Sequence, residues 1–420
     1  MKPKLLTMLQ DYSAKIFLAD AIAGVTVALV ALPLSIAIAI GSGAPPAAGL
    51  VTAIIGGFLI SALGGSRVQI GGPTGAFIVV VYGIIQQHGL DGLLLATLMA
   101  GVILVIGGLL RAGRLIALVP KPVIEGFTVG IAVIIAISQL KDLLGLSVGN
   151  VSAELFELLP ALWTAQGSLN PYALAIGLAS IGIIAILRWL APRIPGSIVA
   201  IGLASLAVAL FALPVDTIQS RFGALPSGLP FPSLPPLSVA LIRELLPSAF
   251  VIAFLAAVES LLSAIVADRM IGAHHRSSAE LLAQGAANIV SPLFGGLPAT
   301  GAIARTATNV RAGGLTPVAG IIHAAVILLI TVAAAPLAGF LAMPALAGLL
   351  IVTAWTMSEP SRWRERLRLR PADRLLLFLT MILTVASTLT IAIAVGTALG
   401  LAQRLFRREV EPIDWTPADR

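Results

Sequence analysis

The sequence has no cysteine, which removes disulfides, thiolate chemistry and cysteine-based metal sites from consideration. Charge is scarce as well: only 11% of the 420 residues are Asp, Glu, Lys or Arg, and only four are His. No P-loop, dinucleotide-binding glycine pattern or hydrolytic triad can be read in it. ATP-driven pumping by this chain alone and enzymatic turnover are therefore not expected, and no cofactor is called for. A cleavable secretory signal is not evident either. The start carries Lys2, Lys4, Asp11 and Lys15, and the first apolar run lacks a convincing cleavage site.

What remains is apolar. Some 58% of the residues are hydrophobic and the mean hydropathy is +1.03. A soluble domain of this length could not hide that much apolar surface, so the chain reads as an all-α polytopic membrane protein. Helices are favoured over a barrel because the apolar runs are long and unbroken. The net charge of +7 reads as cytoplasmic loop charge rather than nucleic-acid binding. Arginine outnumbers lysine, which points weakly to a GC-rich bacterium.

Two stretches organise the chain. Ile70-Gly71-Gly72-Pro73-Thr74-Gly75-Ala76 is echoed by Phe294-Gly295-Gly296-Leu297-Pro298-Ala299-Thr300-Gly301-Ala302. Each is expected to follow a short extended piece (68–70 and 291–294) and to open a broken helix (74–86 and 299–310). The first would be roughly 20 Å long against a hydrocarbon core of about 30 Å, too short to cross alone.

After a cytoplasmic amphipathic lead at 1–17, the first half (18–213) holds spans at about 20–40, 46–63, 74–86, 92–110, 122–139, 171–188 and 196–213. A mixed segment at 141–169 carries a short helix near 152–164. A proline-rich extracellular connector at 214–240 shows no helical period. The second half (241–406) holds spans at about 246–267, 279–290, 299–310, 316–335, 338–357, 373–387 and 389–405. Residues 407–420 begin a cytoplasmic linker. Seven crossings per half make the second half inverted. With the N-terminus inside, every one of the 26 lysines and arginines lies on the inner side except Lys141, Arg221, Arg243 and the membrane-embedded Arg305. Inverted halves with matching interrupted helices point to a secondary transporter with a midplane site.

The chemistry expected there is anion binding. A half-helix that starts mid-membrane leaves backbone N–H groups unpaired at its positive end. Arg305, near the start of the second half-helix, would attract the anion. Glu259, in the middle of span eight with Ser263 one turn on, would pair with Arg305 in the empty site or take up a proton and so couple transport. Sodium coupling and a structural ion pair are the alternatives. Glu280 with Gln284 would brace span nine, while Glu125 and Asp20 look interfacial. His274 and His275 lie in a polar loop with metal binding disfavoured. The Arg362–Arg370 run reads as a solvated cytoplasmic segment, with docking of a regulatory domain as its rival.

Glu259-Ser260-Leu261-Leu262-Ser263, Ala287-Asn288, Pro298 through Thr306, and Thr316-Pro317-Val318-Ala319-Gly320 resemble the bacterial SulP anion transporters. This is the sulfate permease family, which includes the prestin-like proteins of animals. The resemblance implies fourteen segments in a 7+7 inverted repeat shared with uracil permease. It implies a core of spans 1–4 and 8–11, a gate of spans 5–7 and 12–14, and a homodimer. It places the anion between spans three and ten, against Thr74, Gly75, Ala76 and Phe77 on one side and Gly301, Ala302, Ile303 and Arg305 on the other, with Leu34 and Ser35 lining from span one. Glu259 and Ser263 fall where sodium-coupled bicarbonate members hold their cation. Ile303 stands where those members supply a hydroxyl, and Leu34 where many sulfate carriers have glutamine. The C-terminal STAS domain usual in the family is absent from this sequence.

The function expected is alternating-access transport of a small anion (dicarboxylate, bicarbonate or sulfate) with proton symport, in a bacterial inner membrane with both termini cytoplasmic. A sodium-coupled bicarbonate transporter, a nucleobase symporter of the same fold and a prestin-like voltage-driven element are the alternatives.

Overall fold

A computed structural model describes residues 2–113, 120–148, 155–191, 194–387 and 389–407. The expected linker beyond 407 and the first residues of the helix expected at 152–164 lie outside the described residues.

A one-turn helix, Lys4–Met8, precedes span one, Ala14–Gly41, which Ser13 caps through the N–H of Ile16. Span two is Pro46–Leu63, entered on a proline whose missing N–H costs nothing at a first turn. Spans five to seven are Lys121–Ser138, Pro171–Leu190 and Gly196–Leu210. Spans eight to ten are Val239–Ile271, Ser277–Leu293 and Ile303–Arg311. Spans eleven to fourteen are Val318–Gly339, Met343–Met357, Pro371–Ala386 and Leu389–Arg407. Spans three and four share one helix, Ile78–Leu109, entered through a single 3-10 turn, Gly75–Phe77.

The expected stop at 86–89 is a kink instead. Gly89 alone leaves helical geometry, at φ 70°, a conformation only glycine adopts without strain, and the helix resumes at once. Residues 291–293, expected to be extended, are the last turn of span nine. Pro292 leaves the helix intact there and the chain turns only at Phe294 and Gly295. The connector also departs from expectation by holding a short helix, Ile218–Phe222, closed by reciprocal bonds between Thr217 and Ser220.

The spans pack as two units of the 7+7 inverted-repeat fold. In one, span one packs on eleven, span two on nine and eleven, the three–four helix on eight and nine, and span eight on ten. In the other, span five packs on twelve and thirteen, six on seven and twelve, and thirteen on fourteen. Loop contacts sort the ends consistently. Arg276 bonds Lys2, Asp20 bonds Thr316 and Arg366 bonds Glu125 at one end. Arg221 bonds Asp142, Ile218 bonds Leu341 and Ser233 bonds Leu293 at the other.

The two glycine-rich stretches meet at the centre of the first unit. Strand β1, Gly71–Gly72, pairs antiparallel with β2, Thr300–Gly301, setting Gly71 opposite Gly301 and Gly72 opposite Thr300. Backbone that leaves helical form at membrane depth must pair elsewhere, and here each half of the chain satisfies the other.

Candidate functional site

Each strand turns directly into a half-helix. Thr74 and Ala302 are the two N-cap residues, and neither they nor any other side chain caps the first turns. The leading N–H groups of both half-helices are thus left for a ligand, on helix ends that favour negative charge.

A cavity of about 990 Å³ reaches these two ends. Its floor is formed by Leu34, Thr74, Gly75, Ala76, Glu259, Ala302, Ile303 and Arg305. From there it runs past Lys121, Glu125 and Phe127 of span five to Arg269, Arg362, Arg366 and Arg370, the arginine-rich end of the molecule.

Glu259 does not pair with Arg305: among the described residues no ion pair joins them. The hydroxyl of Thr74 donates to Glu259 Oε2 at 2.7 Å. The carboxylate from the second half therefore touches the half-helix end of the first, 185 residues away in sequence. Arg305 turns the other way. Its Nη2 donates to Ser35 Oγ at 3.0 Å, while Nε and Nη1 are buried without partners. Nη1 packs against the backbone of Gly72, where a Cβ would overlap it. Arg305 thus reaches the cavity floor only 2% exposed, with its guanidinium turned toward Ser35 and Gly72 rather than displayed as a fork of donors.

Ser263 is absent from the cavity wall. It is buried and shares a hydrogen bond with Thr306 at 3.2 Å, and Thr306 also accepts the N–H of Ile70. The rise and turn of span eight put Glu259 at the floor and Ser263 behind the second half-helix. Ser35, Phe77 and Gly301 are buried behind the floor as well. Of the residues expected at the site, the structure brings eight to one cavity and sets these four behind them.

Several supports were not legible in the sequence. Span two contains a single π turn, Thr52–Gly56, a form that often marks functional sites. There Thr52 Oγ1 accepts the N–H of Leu297 at 2.6 Å. Asn288 holds Ala299 by a two-way bond of 2.7 and 2.9 Å, and Asn309 bonds Val68 O at 2.8 Å. Thr300 Oγ1 donates to Ala256 O at 3.0 Å. The signal available was a polar side chain in an apolar run, which alone does not reveal its partner. His323 of span eleven is fully buried and neither ring nitrogen has a partner.

Glu280 does brace the unit, with more partners than Gln284 alone. Its carboxylate accepts from Gly65 N, Ser66 N, Ser260 Oγ and Gln284 Nε2 at 2.9–3.3 Å. Gln69 Nε2 joins through Ser260 Oγ at 2.9 Å. Asp20 is fully buried and accepts from the N–H groups of Leu315 and Thr316 ahead of span eleven. Tyr12 also donates to it, and burial together with that carboxylate pushes the Tyr12 phenol up to about 12. His275 is buried between Asp268, at 2.7 Å, and Ser277, at 3.1 Å, which ties span eight to span nine. Glu125 is ringed by Lys121, Arg362 and Arg366 at 3.3–3.7 Å.

The model of the sulfate permease family matches residues 17–380. The chain belongs to the sulfate permease family. That is a family of membrane transporters and not of enzymes. YvdB of Bacillus subtilis, a putative sulfate transporter, is 44% identical to this chain over 381 residues, covering 90% of this chain and 71% of YvdB. The solved transmembrane domain of the cyanobacterial bicarbonate transporter BicA is 31% identical. It matches with a TM-score of 0.83 over 91% of this chain and 98% of that one. Murine Slc26a9 shares the fold at a TM-score of 0.87 with 18% identity, covering 96% of this chain and 71% of its own.

Proposed function

We propose that this member of the sulfate permease family is a secondary active transporter of small anions, working by alternating access with proton symport. The observation that carries this reading is the cavity that ends on two uncapped half-helix starts, with Arg305 beneath and Glu259 at the floor. An anion there meets backbone N–H groups of Gly75, Ala76, Ile303 and Ala304, and the buried guanidinium adds positive potential. The anion is a small oxyanion or carboxylate of the bicarbonate, sulfate or dicarboxylate class. BicA, the 31% identical structural relative, is by its name a bicarbonate transporter. Leu34 and Ile303 leave the floor less polar than a glutamine or a hydroxyl would.

Glu259 sits where it can couple the anion to a cation. When it is ionised its charge opposes the anion. Protonation removes that charge and favours anion entry, so proton and anion travel together. Thr74 Oγ1 bonds the same carboxylate, so its charge state is communicated to the half-helix end that holds the anion. Sodium coupling is the second reading, because a carboxylate at the cavity floor can also ligate a metal cation. It is opposed by Ile303, which brings no oxygen ligand, and by Ser263, whose hydroxyl is engaged with Thr306. The cavity opens at the arginine-rich end, which the charge asymmetry assigns to the cytoplasm of a bacterial inner membrane, with both termini inside. A homodimer is the proposed assembly.

The test is uptake of labelled bicarbonate, sulfate and succinate into liposomes holding the purified chain, under imposed proton or sodium gradients. Accumulation of one anion driven by the inward proton gradient is expected. Accumulation driven by sodium alone transfers the assignment to the second reading, and uptake of uracil but of no anion contradicts both.

A further inference from the structure

A second set of cations lies away from the cavity, on the inner edge of the unit built from spans one to four and eight to eleven. Lys4, Arg67 and Arg276 come from three separate parts of the chain: the first helix, the loop before β1 and the loop before span nine. Backbone contacts draw them together. Lys4 N donates to Gly64 O at 2.9 Å, Arg276 N donates to Gly65 O at 3.0 Å, and Arg276 Nη1 donates to Lys2 O at 2.8 Å. The approach is close enough that a Cβ on Gly65 would overlap the Arg276 carbonyl. All three cations are half-buried.

No carboxylate among the described residues pairs with them. Asp268 accepts both the backbone N–H and Nδ1 of His275 at 2.7 Å, and Glu280 is spent on Gly65, Ser66, Ser260 and Gln284. The crowding is felt at Lys4. Burial, then Arg276, then Arg67 hold its ammonium below the usual lysine range, against an opposing pull from Asp268. In the same loop the Ser66 hydroxyl is 5% exposed and has no partner, and Arg67 Nε is also buried without one. Three like charges packed together with unpaired donors call for a multivalent oxygen anion. The surroundings say where that anion comes from. Leu6 and Leu9 beside Lys4, and Leu63 just before the loop, are exposed apolar side chains, which suit the acyl region of a bilayer better than water.

We propose that Lys4, Arg67 and Arg276, with Ser66, bind the phosphate of an anionic membrane lipid at the inner surface of the unit of spans one to four and eight to eleven. The site is separate from the transport cavity and does not depend on the transported anion. Phosphate oxygens would accept from the two guanidinium groups, the ammonium and the Ser66 hydroxyl, and the acyl chains would lie along Leu6, Leu9 and Leu63.

The test is native mass spectrometry of the full chain extracted from bilayers containing phosphatidylglycerol and phosphatidylcholine. Wild type should retain phosphatidylglycerol in preference. Lys4→Gln and Arg67→Gln should each lower that retention about fivefold, the effect of one basic side chain near an anionic surface. Arg364→Gln and Arg368→Gln, on exposed basic positions elsewhere, should leave it unchanged. The Arg276 side chain also holds the N-terminal backbone, so it is left intact, and either single variant that remains monodisperse decides the matter. Equal retention by Lys4→Gln or Arg67→Gln and wild type overturns the proposal. So does equal loss in the two control variants. If soluble glycerol phosphate displaces the lipid when added in modest excess, the site is one for free phosphate and the lipid assignment is wrong.

Discussion

The two units of this permease are held together in different ways. In the unit of spans one to four and eight to eleven, buried polar side chains bond across helices. Glu280 reaches Gly65, Ser66 and Ser260, Asn288 reaches Ala299, Asn309 reaches Val68 and Asp20 reaches Thr316. In the other unit, buried hydroxyls mostly turn back on their own helices, as Ser180 does to Ile176 O, Thr380 to Leu376 O and Thr384 to Thr380 O, and Ser205, which accepts the N–H of Ala342, is the exception among the described residues. Its ionic contacts sit at the ends, around Glu125 and Arg366 on one side and Asp142 and Arg221 on the other. A cross-linked polar interior fixes one arrangement, because every group that lost a partner would stay buried and unpaired. An apolar interior packed on small residues has no such register. The difference suits a unit that carries a site of fixed geometry and a second unit that it moves against.

The sharpest way to break this contrast is to remove Glu280. Glu280→Ala leaves Gly65 N, Ser66 N and the Ser260–Gln284 pair without their acceptor. It should cost about 3–5 kcal/mol, read as a large fall in the thermal midpoint of the purified protein. A fall no larger than that of a surface variant would mean that the polar interior is not what holds the unit.

Arg305→Ala comes next and separates stability from binding. Two of its donor nitrogens have no partner, so the fold should tolerate its loss, while anion affinity should drop about ten- to a hundredfold, roughly 1.5–3 kcal/mol. Gly72→Ala should weaken affinity in the same direction, because its Cβ overlaps Nη1 and pushes the guanidinium off β1. Unchanged affinity in both variants would remove Arg305 from the account of the site.

For Glu259→Gln the expected change is in coupling rather than fold. A group that must be protonated for anion entry makes uptake rise as pH falls, and a permanently neutral amide should flatten that profile while downhill exchange persists. A pH dependence identical to wild type would take the coupling role away from Glu259. The smallest effect is assigned to the other unit. Thr384→Val removes only a bond within its own helix and should change stability by less than about 1 kcal/mol. A loss comparable to that of Glu280→Ala would erase the contrast.

Much of this was legible in the residues. The paired Gly-Gly and Thr-Gly-Ala stretches, the inversion of the halves and the lone charges Glu259 and Arg305 all follow from composition, spacing and membrane physics. What the sequence could not show was direction and partnership. Thr74 read as a half-helix end, and only the folded chain brings its hydroxyl to a carboxylate in the other half. Arg305 and Glu259 looked like a pair because opposite charges at one depth attract, yet the backbone of β1 and Ser35 offer the guanidinium a different seat. Residues 291–294 read as a short extended piece, although Pro292 sits in the last turn of span nine, where the chain was about to leave the helix anyway. Gly89 read as a terminus because the local signals for a stop and for a kink are the same.

Because the chain contains no cysteine, pairs of spin labels can be placed without background. Labels at exposed Leu109 and Met270, both at the arginine-rich end of the polar-bonded unit, report on that unit alone. Labels at Leu109 and Leu367 report on one unit against the other. Pulsed electron–electron distances should be compared in bilayers with and without bicarbonate, sulfate or succinate at acid pH. The account predicts that the Leu109–Met270 distance stays constant while the Leu109–Leu367 distribution shifts by several ångströms with the transported anion. A Leu109–Met270 distance that shifts as far as the other pair would contradict a rigid, site-carrying unit moving against its partner.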